Sequence, residues 1–470
     1  MAKKVVSGNQ QTSKKKSSSQ QKPPPVSPPG SQAGGRKNAK TPHARIADLY
    51  VNTYQRKTIF CRGKYFRYKD GLWSDVNMFV IRKEIAGSIE KVNAKNYRSA
   101  DVDSVEKLVR SLLFKPDDLL DSMDGLINLK NGVYDVENQV LIAHNPNFYM
   151  TTQLPFDYDL HADYPIWKYY LKSSLVGWDE TMSAYYQDPE LVEFVQEAIG
   201  YSLTTDIQYH VMFWCLGKGR NGKGILFHIL ERLGGDSVTP LDVNLLKYNQ
   251  YQLATLAGKK IALCSESNST KNLVEDSIIK MLVAGDSMIV RQIRQEPFTL
   301  NPMVKLWWAM NQFPAVADTS DGFWRRILLI PFNRSFSPKE VDTKLKQKLE
   351  PELPGIFVWA MEGLRRLQQR GSFAIPKQVQ DFIAEYKLEA NTVASWIEAE
   401  CDTTIATAKG RASILHNSYK MYCAQSGYSP YSLRKFSREM VNLGYAKKRD
   451  NGGMYYEGVN VLTPFQQTVP

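Results

Sequence analysis

The sequence predicts an α/β fold centred on an open parallel sheet with crossover helices, and two patterns carry that prediction. Four near-continuous apolar runs stand at 211–216 (VMFWCL), 260–265 (KIALCS), 305–310 (KLWWAM) and 327–332 (ILLIPF), as in strands covered on both faces. Helix-period stretches lie between them, which parallel strands need for their connections.

Composition sets the outer bounds. At about 150 residues per domain, 470 residues suggest roughly three domains. With 43% apolar and 23% charged residues the chain matches soluble globular proteins. No apolar run reaches the roughly 18 residues of a membrane span. No apolar segment follows the lysines of the N-terminus, so no secretory signal is expected. The five cysteines (61, 215, 264, 401 and 423) form no CxxC pair, which speaks against a zinc ribbon or a disulfide framework. A reducing, cytoplasmic location with no membrane partner follows as the expectation.

The net charge of +12 is unevenly spread. Residues 1–45 hold ten Lys and Arg and no acid, and the remainder carries 50 bases against 48 acids. A uniformly basic nucleic-acid-coating protein is excluded, so any nucleic-acid surface on the body must be a local patch.

Residues 1–45, with PPPVSPPGSQAGG at their centre, are predicted disordered because they cannot bury enough apolar surface to order themselves. Such a basic tail either holds DNA loosely through its phosphates or serves as a solubilising leader. Residues 46–175 read as an N-terminal α/β accessory domain. A hairpin is expected over Tyr65–Trp73, turning at Asp70-Gly71. Helices are expected at about 78–93 and 102–113, then a β element over 127–144 with its turn at Asn131-Gly132. Tyr- and Trp-rich residues up to about 205 read as a helical lead-in to a central domain spanning 176–375. Residues 355–370 read as a helix, and a C-terminal module spans 376–470.

The chemistry concentrates after the first apolar run. Gly217-Lys218-Gly219-Arg220-Asn221-Gly222-Lys223-Gly224 has P-loop spacing between a strand and a helix pattern. The glycines let backbone N–H groups close on a β-phosphate, and the helix N-terminus adds positive charge. Lys223 supplies a cation for the β and γ phosphates of ATP. The usual Ser or Thr that binds Mg2+ is replaced by Gly224, so Mg2+ must use other ligands or bind weakly.

Glu266 ends the run 260–265, where a carboxylate would serve Mg2+ and the attacking water. Asn311 ends the run 305–310, where a polar side chain can hold that water or touch the γ-phosphate. Arg325 and Arg326 precede the last run, and either could act as an arginine finger on a neighbouring copy. Residues 288–300 read as two short strands around Arg294-Gln295-Glu296. A hairpin carrying Arg291 and Arg294 could grip DNA phosphates, and Lys280 lies on the helix pattern before it.

Together, GKGRNGKG, the strand ending in Glu266, KMLVAGDSMIVRQ, the strand ending in Asn311 and DGFWRRILLIPF resemble superfamily 3 helicases of the AAA+ ATPases. Within these, the phage/plasmid primase-helicase family, which includes the poxvirus primase-helicase, is the most similar group. LKNGVYDV…HNPNFYMTTQLPFDYD (129–159) resembles that family's segment before the motor. The resemblance covers about residues 60–460.

It implies an AAA+ P-loop core and a hexameric ring that hydrolyses ATP between copies and moves 3′-to-5′ on single-stranded and forked DNA. By position it implies Lys223 on phosphate, Glu266 on Mg2+ and water, Asn311 as sensor, and Arg325 or Arg326 as finger. Lys280, Arg291 and Arg294 fall in the segment associated with DNA grip. Residues 46–175 lack the paired carboxylates or zinc site of a primase, so no primer synthesis is expected.

In the C-terminal module, 432–443 (SLRKFSREMVNL) places Leu433, Phe436, Met440 and Leu443 on one helical face with Gly444 as the stop. A strand, Asp-Asn-Gly-Gly turn and strand follow. With Arg434, Lys435, Arg438, Lys447 and Lys448 these suggest a winged-helix-like DNA-binding domain for origin duplex DNA, or a structural cap with a charged face. The leading function is an ATP-dependent replicative DNA helicase of a phage, satellite or plasmid, with further replication partners possible. The rival classes are an origin-binding initiator that melts DNA and a non-translocating nucleic-acid-binding scaffold.

Overall fold

A computed structural model describes residues 40–54, 57–93, 97–179, 181–246, 249–265, 276–293, 297–313, 321–426, 428 and 430–462. The tail as far as residue 39, Glu266 and Arg294 therefore lie outside the described residues.

The strands of the central sheet, numbered in chain order, are β1 (Met212–Leu216), β2 (Val238–Pro240), β3 (Ile261–Cys264), β4 (Lys305–Met310) and β5 (Ile327–Pro331). They lie in the order β2-β3-β4-β1-β5, all parallel. Four of the five are the apolar runs. β2 escapes the sequence pattern because it has three residues and ends in proline, which an edge strand tolerates.

β1 sits inside the sheet, flanked by strands that come from later in the chain. The connection leaving β1 runs to the far edge, and the connection leaving β4 crosses to the other side. The C-terminal ends of β1, β3 and β4 thus share one edge, where open α/β sheets bind ligands. Register also pairs the aromatics of the two middle strands. Phe213 lies opposite Trp307 with rings stacked 4.4 Å apart, and Trp214 lies opposite Trp308, edge to face. The apolar core built on these strands runs from Ile127 to Val379.

Ahead of the sheet, helices Pro42–Tyr54, Met78–Asn93 and Ser99–Leu113 bury Tyr50, Ile81, Ile85, Val105 and Val109 together. The first helix starts ahead of Ile46, where the sequence analysis places the first ordered residue. The expected hairpin joins Lys64–Lys69 to Leu72–Val76, with Asp70 and Gly71 at φ of 50° and 82°. In the next β element Leu129 pairs with Gly132, so the turn is Lys130-Asn131 and not Asn131-Gly132. Gly132 is a strand residue whose Cβ would meet the Ile142 carbonyl at 2.7 Å.

The expected helical lead-in needs correction. Helix Pro165–Ser174 is followed by a two-stranded hairpin, Val176–Asp179 with Ala184–Gln187, and only then by helix Pro189–Ser202. Trp178 and Tyr185 face each other across the hairpin, a pairing of period two that an aromatic-rich helix would not make.

In the C-terminal module, helix Thr392–Glu400 is followed by strand Lys409–Arg411, helices Ala412–Gln425 and Leu433–Asn442, and strands Lys447–Asp450 and Gly453–Glu457. The three strands form one antiparallel sheet with Gly453–Glu457 in the middle. Phe436 and Met440 are fully buried, but Leu433 is 54% exposed. Leu433 opens the helix behind the Ser432 cap and so lies beyond the packed face. Gly444, at φ 94°, follows the helix end. Among the described residues no helix is long and apolar enough to cross a membrane.

Candidate active site

β1 delivers the glycine-rich loop to the sheet edge. Gly217 N donates to the Met310 carbonyl of β4 (3.1 Å), and Phe332 N donates to the Leu216 carbonyl (2.7 Å). A Cβ at Gly217 would come within 2.5 Å of both Asn221 Nδ2 and the Phe332 carbonyl, and Gly222 holds φ 98°. Those two glycines are therefore geometric requirements of the loop. Asn221, 3% exposed, braces it from within: Nδ2 donates to the Lys218 carbonyl (3.1 Å) and Oδ1 accepts from Lys223 N (3.4 Å).

Helix Lys223–Gly234 starts directly after the loop, so its first N–H groups lack intrahelical partners. Lys223 is 4% exposed. Its Nζ donates to the Gly217 carbonyl and, at 3.1 Å, to Asn311 Oδ1. Asn311 follows β4 directly, so the β1–β4 pairing joins two residues 88 positions apart.

Lys218, Gly219, Arg220 and Gly224 are exposed. Gly224 has open space where a Cβ would stand. Cys215, under the loop, is a fully buried thiol pushed up by burial, so it is inert.

A cavity of about 720 Å3 opens beside the loop at Arg220, Gly222 and Ile225. Its walls include Ile166, Tyr169 and Tyr170 from helix Pro165–Ser174, with Phe336 and Leu345 from the chain after β5. This is the size of a small-molecule site. Ion pairs Arg334–Glu340 and Lys348–Asp342, both 2.7 Å, belong to its lining. Tyr170 OH donates to the Gly222 carbonyl (3.1 Å), fastening cavity to loop, and burial raises this phenol well above its ordinary pKa. The wall helix is itself capped from afar: the Glu352 carboxylate accepts from Ile166 N (2.9 Å) and Trp167 N (2.8 Å). No sequence periodicity links Ile166, Tyr170, Phe336, Leu345 and Glu352 to the loop; only the tertiary fold does.

Arg325 and Arg326 lie at the N-terminal end of β5, the edge opposite the loop. A five-residue strand, about 16 Å, separates them from their own phosphate loop. Arg325 is exposed, whereas the Arg326 guanidinium folds back onto the Gly322 carbonyl. Lys280 Nζ stands 5.8 Å from the Phe323 ring, beside the same segment. Strands Met288–Val290 and Phe298–Leu300 form the expected antiparallel hairpin. Arg291 on it is exposed, as are Ile289 and Ile293, which sequence analysis did not single out.

In the C-terminal module Arg434 and Arg438 are exposed one helical turn apart. Lys435 Nζ lies 3.6 Å from the centre of the Tyr431 ring, and Lys447 Nζ donates to Ser437 Oγ (2.6 Å). Lys448 pairs with Glu457 on the adjacent strand, which leaves it less charge for a phosphate.

The loop fits a polyphosphate: backbone where side chains cannot stand, a helix N-terminus and a buried cation converge there. For Mg2+ the described residues offer less. Among them no cluster of three His, Cys, Asp or Glu side chains could hold a metal, and Gly224 brings no oxygen.

Residues 44–175 match the family model D5 N terminal like, and residues 215–326 match a family of unknown function, DUF5906. "Putative helicase L207/L206" of Acanthamoeba polyphaga mimivirus is 23% identical over 77% of this chain and 39% of its own length. "Putative helicase 121R" of Invertebrate iridescent virus 3 is 25% identical over 69% and 37%. "Putative helicase V13" of Sputnik virophage is 22% identical over 65% and 42%. The chain thus spans about two fifths of the length of these relatives. Among solved structures, the apo A form of the NrS-1 C-terminal region superposes with a TM-score of 0.51 at 12% identity. That match covers 89% of this chain and 99% of the other, a likeness of fold.

Proposed function

We propose that this chain, similar to viral putative helicases and matching the D5 N terminal like model over residues 44–175, is an ATP-driven DNA helicase of superfamily 3. It works as a hexameric ring of identical copies on single-stranded and forked DNA. The observation that carries this reading is the meeting of Lys223, Gly222 and Asn311 at one sheet edge, beside a cavity large enough for a nucleoside.

ATP lies with its β-phosphate against the loop N–H groups and its base in the cavity walled by Ile166, Tyr170 and Leu345. Lys223 leaves the Gly217 carbonyl and Asn311 to meet the β and γ phosphates. Asn311, released, orients the attacking water, and Glu266 takes its proton. Glu266 would be the protein-side carboxylate for Mg2+, which would supply positive charge against the phosphates. Arg325 stabilises charge on the γ-phosphate held by a neighbouring copy. Its exposure, and its distance from its own loop, support a role in trans. Cations of the 288–300 hairpin, with Lys280, grip DNA phosphates.

The test is unwinding of a forked duplex with ATP and Mg2+. The wild type separates the strands and Lys223→Ala does not. Wild-type protein that binds ATP and assembles, yet leaves the fork intact, refutes the helicase reading.

A second reading, an origin-binding initiator that melts DNA, is favoured by the C-terminal module. Two helices between the strands of one antiparallel sheet, with the short pair Cys401–Asp402 and Asn460–Val461 beside it, and the exposed Arg434 and Arg438 support a winged helix that reads duplex DNA. Under that reading, Arg434→Glu with Arg438→Glu loses sequence-selective duplex binding and keeps ATP turnover.

A further inference from the structure

The hairpin Val176–Asp179 with Ala184–Gln187 stands apart from the other sheets and displays apolar surface. Trp178, Tyr185 and Tyr186 are each close to half exposed, and Met182 at the tip is 76% exposed. Ring centres of Trp178 and Tyr185 lie 4.8 Å apart, edge to face. Exposed aromatics and methionine in one small element are the composition of interface centres, not of ordinary surface.

The hairpin is bonded to the phosphate loop by a four-residue strap. Asn333 Nδ2 donates to the Val176 carbonyl (3.0 Å), and Tyr185 OH donates to the Asn333 carbonyl (3.2 Å). Two residues on, Ser335 Oγ donates to the Lys218 carbonyl (3.4 Å), and Phe336 N donates to the Arg220 carbonyl (2.8 Å). Whatever settles on the hairpin therefore pushes on the loop through residues 333–336.

Charge narrows the occupant. No lysine or arginine occurs between Lys172 and Lys218. Asp179, Asp188 and Glu190 act on the Tyr186 phenol, raising it after burial has done so. An apolar hairpin whose own charged side chains are all acids favours a basic partner over nucleic acid. The proposed site is meanwhile short of one basic group, because Arg325 cannot reach its own loop.

We infer that this aromatic hairpin is the seat on which a second copy of the chain docks its Arg325-bearing surface. This rests on the proposed function and names the surface that completes the site. The neighbour covers Trp178 and Met182, Arg325 arrives at the loop edge, and the strap carries the contact to Lys218 and Arg220. Assembly and nucleotide binding thereby become coupled through a physical path.

The test uses the full chain and two variants, Trp178→Ala and Met182→Lys. The second alters only an exposed tip and keeps the fold. Sedimentation with ATP reads assembly, and a fluorescent ATP analogue at dilute protein reads binding to single copies. Each variant is expected to assemble at least tenfold more weakly and to lose ATP turnover in proportion, with single-copy nucleotide affinity within twofold of wild type. Met182→Lys assembling and turning over as wild type overturns the docking proposal alone. If wild type binds no nucleotide and does not self-associate, the parent reading falls with it.

Discussion

Lys223 Nζ lies 3.1 Å from Asn311 Oδ1, so the loop cation meets the side chain to which the proposed function gives the attacking water. Under the proposed function nucleotide breaks this contact, and the two partners then separate in role. Lys223→Ala is expected to abolish ATP binding. Asn311→Ala is expected to keep binding within a few-fold while phosphate release falls about 100-fold, the usual cost of one oriented polar group. Titration with a fluorescent ATP analogue and a phosphate-release assay check the split. Equal loss of both activities in Asn311→Ala refutes the sensor assignment.

Gly224 differs from Gly217 and Gly222 in having room for a side chain. Gly224→Ser is expected to fold normally and to lower the Mg2+ concentration that half-saturates ATP turnover, because it restores a hydroxyl beside the phosphates. Gly217→Ala is expected to lose nucleotide binding through its clash with Asn221 and Phe332. A magnesium titration of turnover separates the cases; an unchanged midpoint in Gly224→Ser would show that the hydroxyl does not meet the metal.

Adjacent arginines should behave differently. Arg325→Ala is expected to leave thermal stability unchanged and remove most ATP turnover. Arg326 is half-buried and bonded to the Gly322 carbonyl, so Arg326→Ala is expected to cost about 1 kcal/mol of stability. Mixing Arg325→Ala with Lys223→Ala protein should restore part of the turnover, because some interfaces then carry one intact loop and one intact finger. No recovery on mixing argues for a finger acting within one copy.

Two lysines buried at the far edge of the sheet predict a pH effect. Burial pushes Lys260 down from 10.5 to about 8. Burial and the nearby Lys260 push Lys305 well below its ordinary value, although Lys305 donates to the Thr204 and Met303 carbonyls. From about pH 8 to 10.5 the unfolded chain binds more protons at Lys260 than the folded one, so this term raises stability as pH rises. Its size is about 3 kcal/mol at most. Buried Cys215 and Cys264 act in the opposite sense and cancel when wild type is compared with Lys260→Met. Urea midpoints from pH 7 to 10 should show the variant's advantage shrinking as pH rises; a constant difference rules the term out.

Glu352 should matter both to stability and to the cavity. Glu352→Ala leaves Ile166 and Trp167 N–H groups without their acceptor and is expected to cost about 2 kcal/mol. Nucleotide affinity should fall as well, since the uncapped helix walls the cavity. Urea unfolding and ATP titration of the same protein check both effects.

The strands at 212–216, 261–264, 305–310 and 327–331 were legible because strands covered on both faces must be apolar throughout. The loop Gly217–Gly224 was legible because its tight passage from strand to helix demands glycine where a Cβ would clash or φ is positive. β2 was not, being three residues at an edge. The hairpin 176–187 was hidden because its aromatics suit a helix face as well as a strand pair, and its seat on Asn333 is remote in sequence.

By itself the sequence therefore determined the class of fold and the place of the glycine-rich loop, both written in local spacing and local hydrophobicity. Only tertiary structure decided which distant groups meet: Asn311 against Lys223, Glu352 at the head of the wall helix, Phe336 and Leu345 in the cavity, and Arg325 a strand away from its own loop. Those contacts depend on strand order and register, which arise from packing the whole core at once and leave no trace in any single stretch of chain.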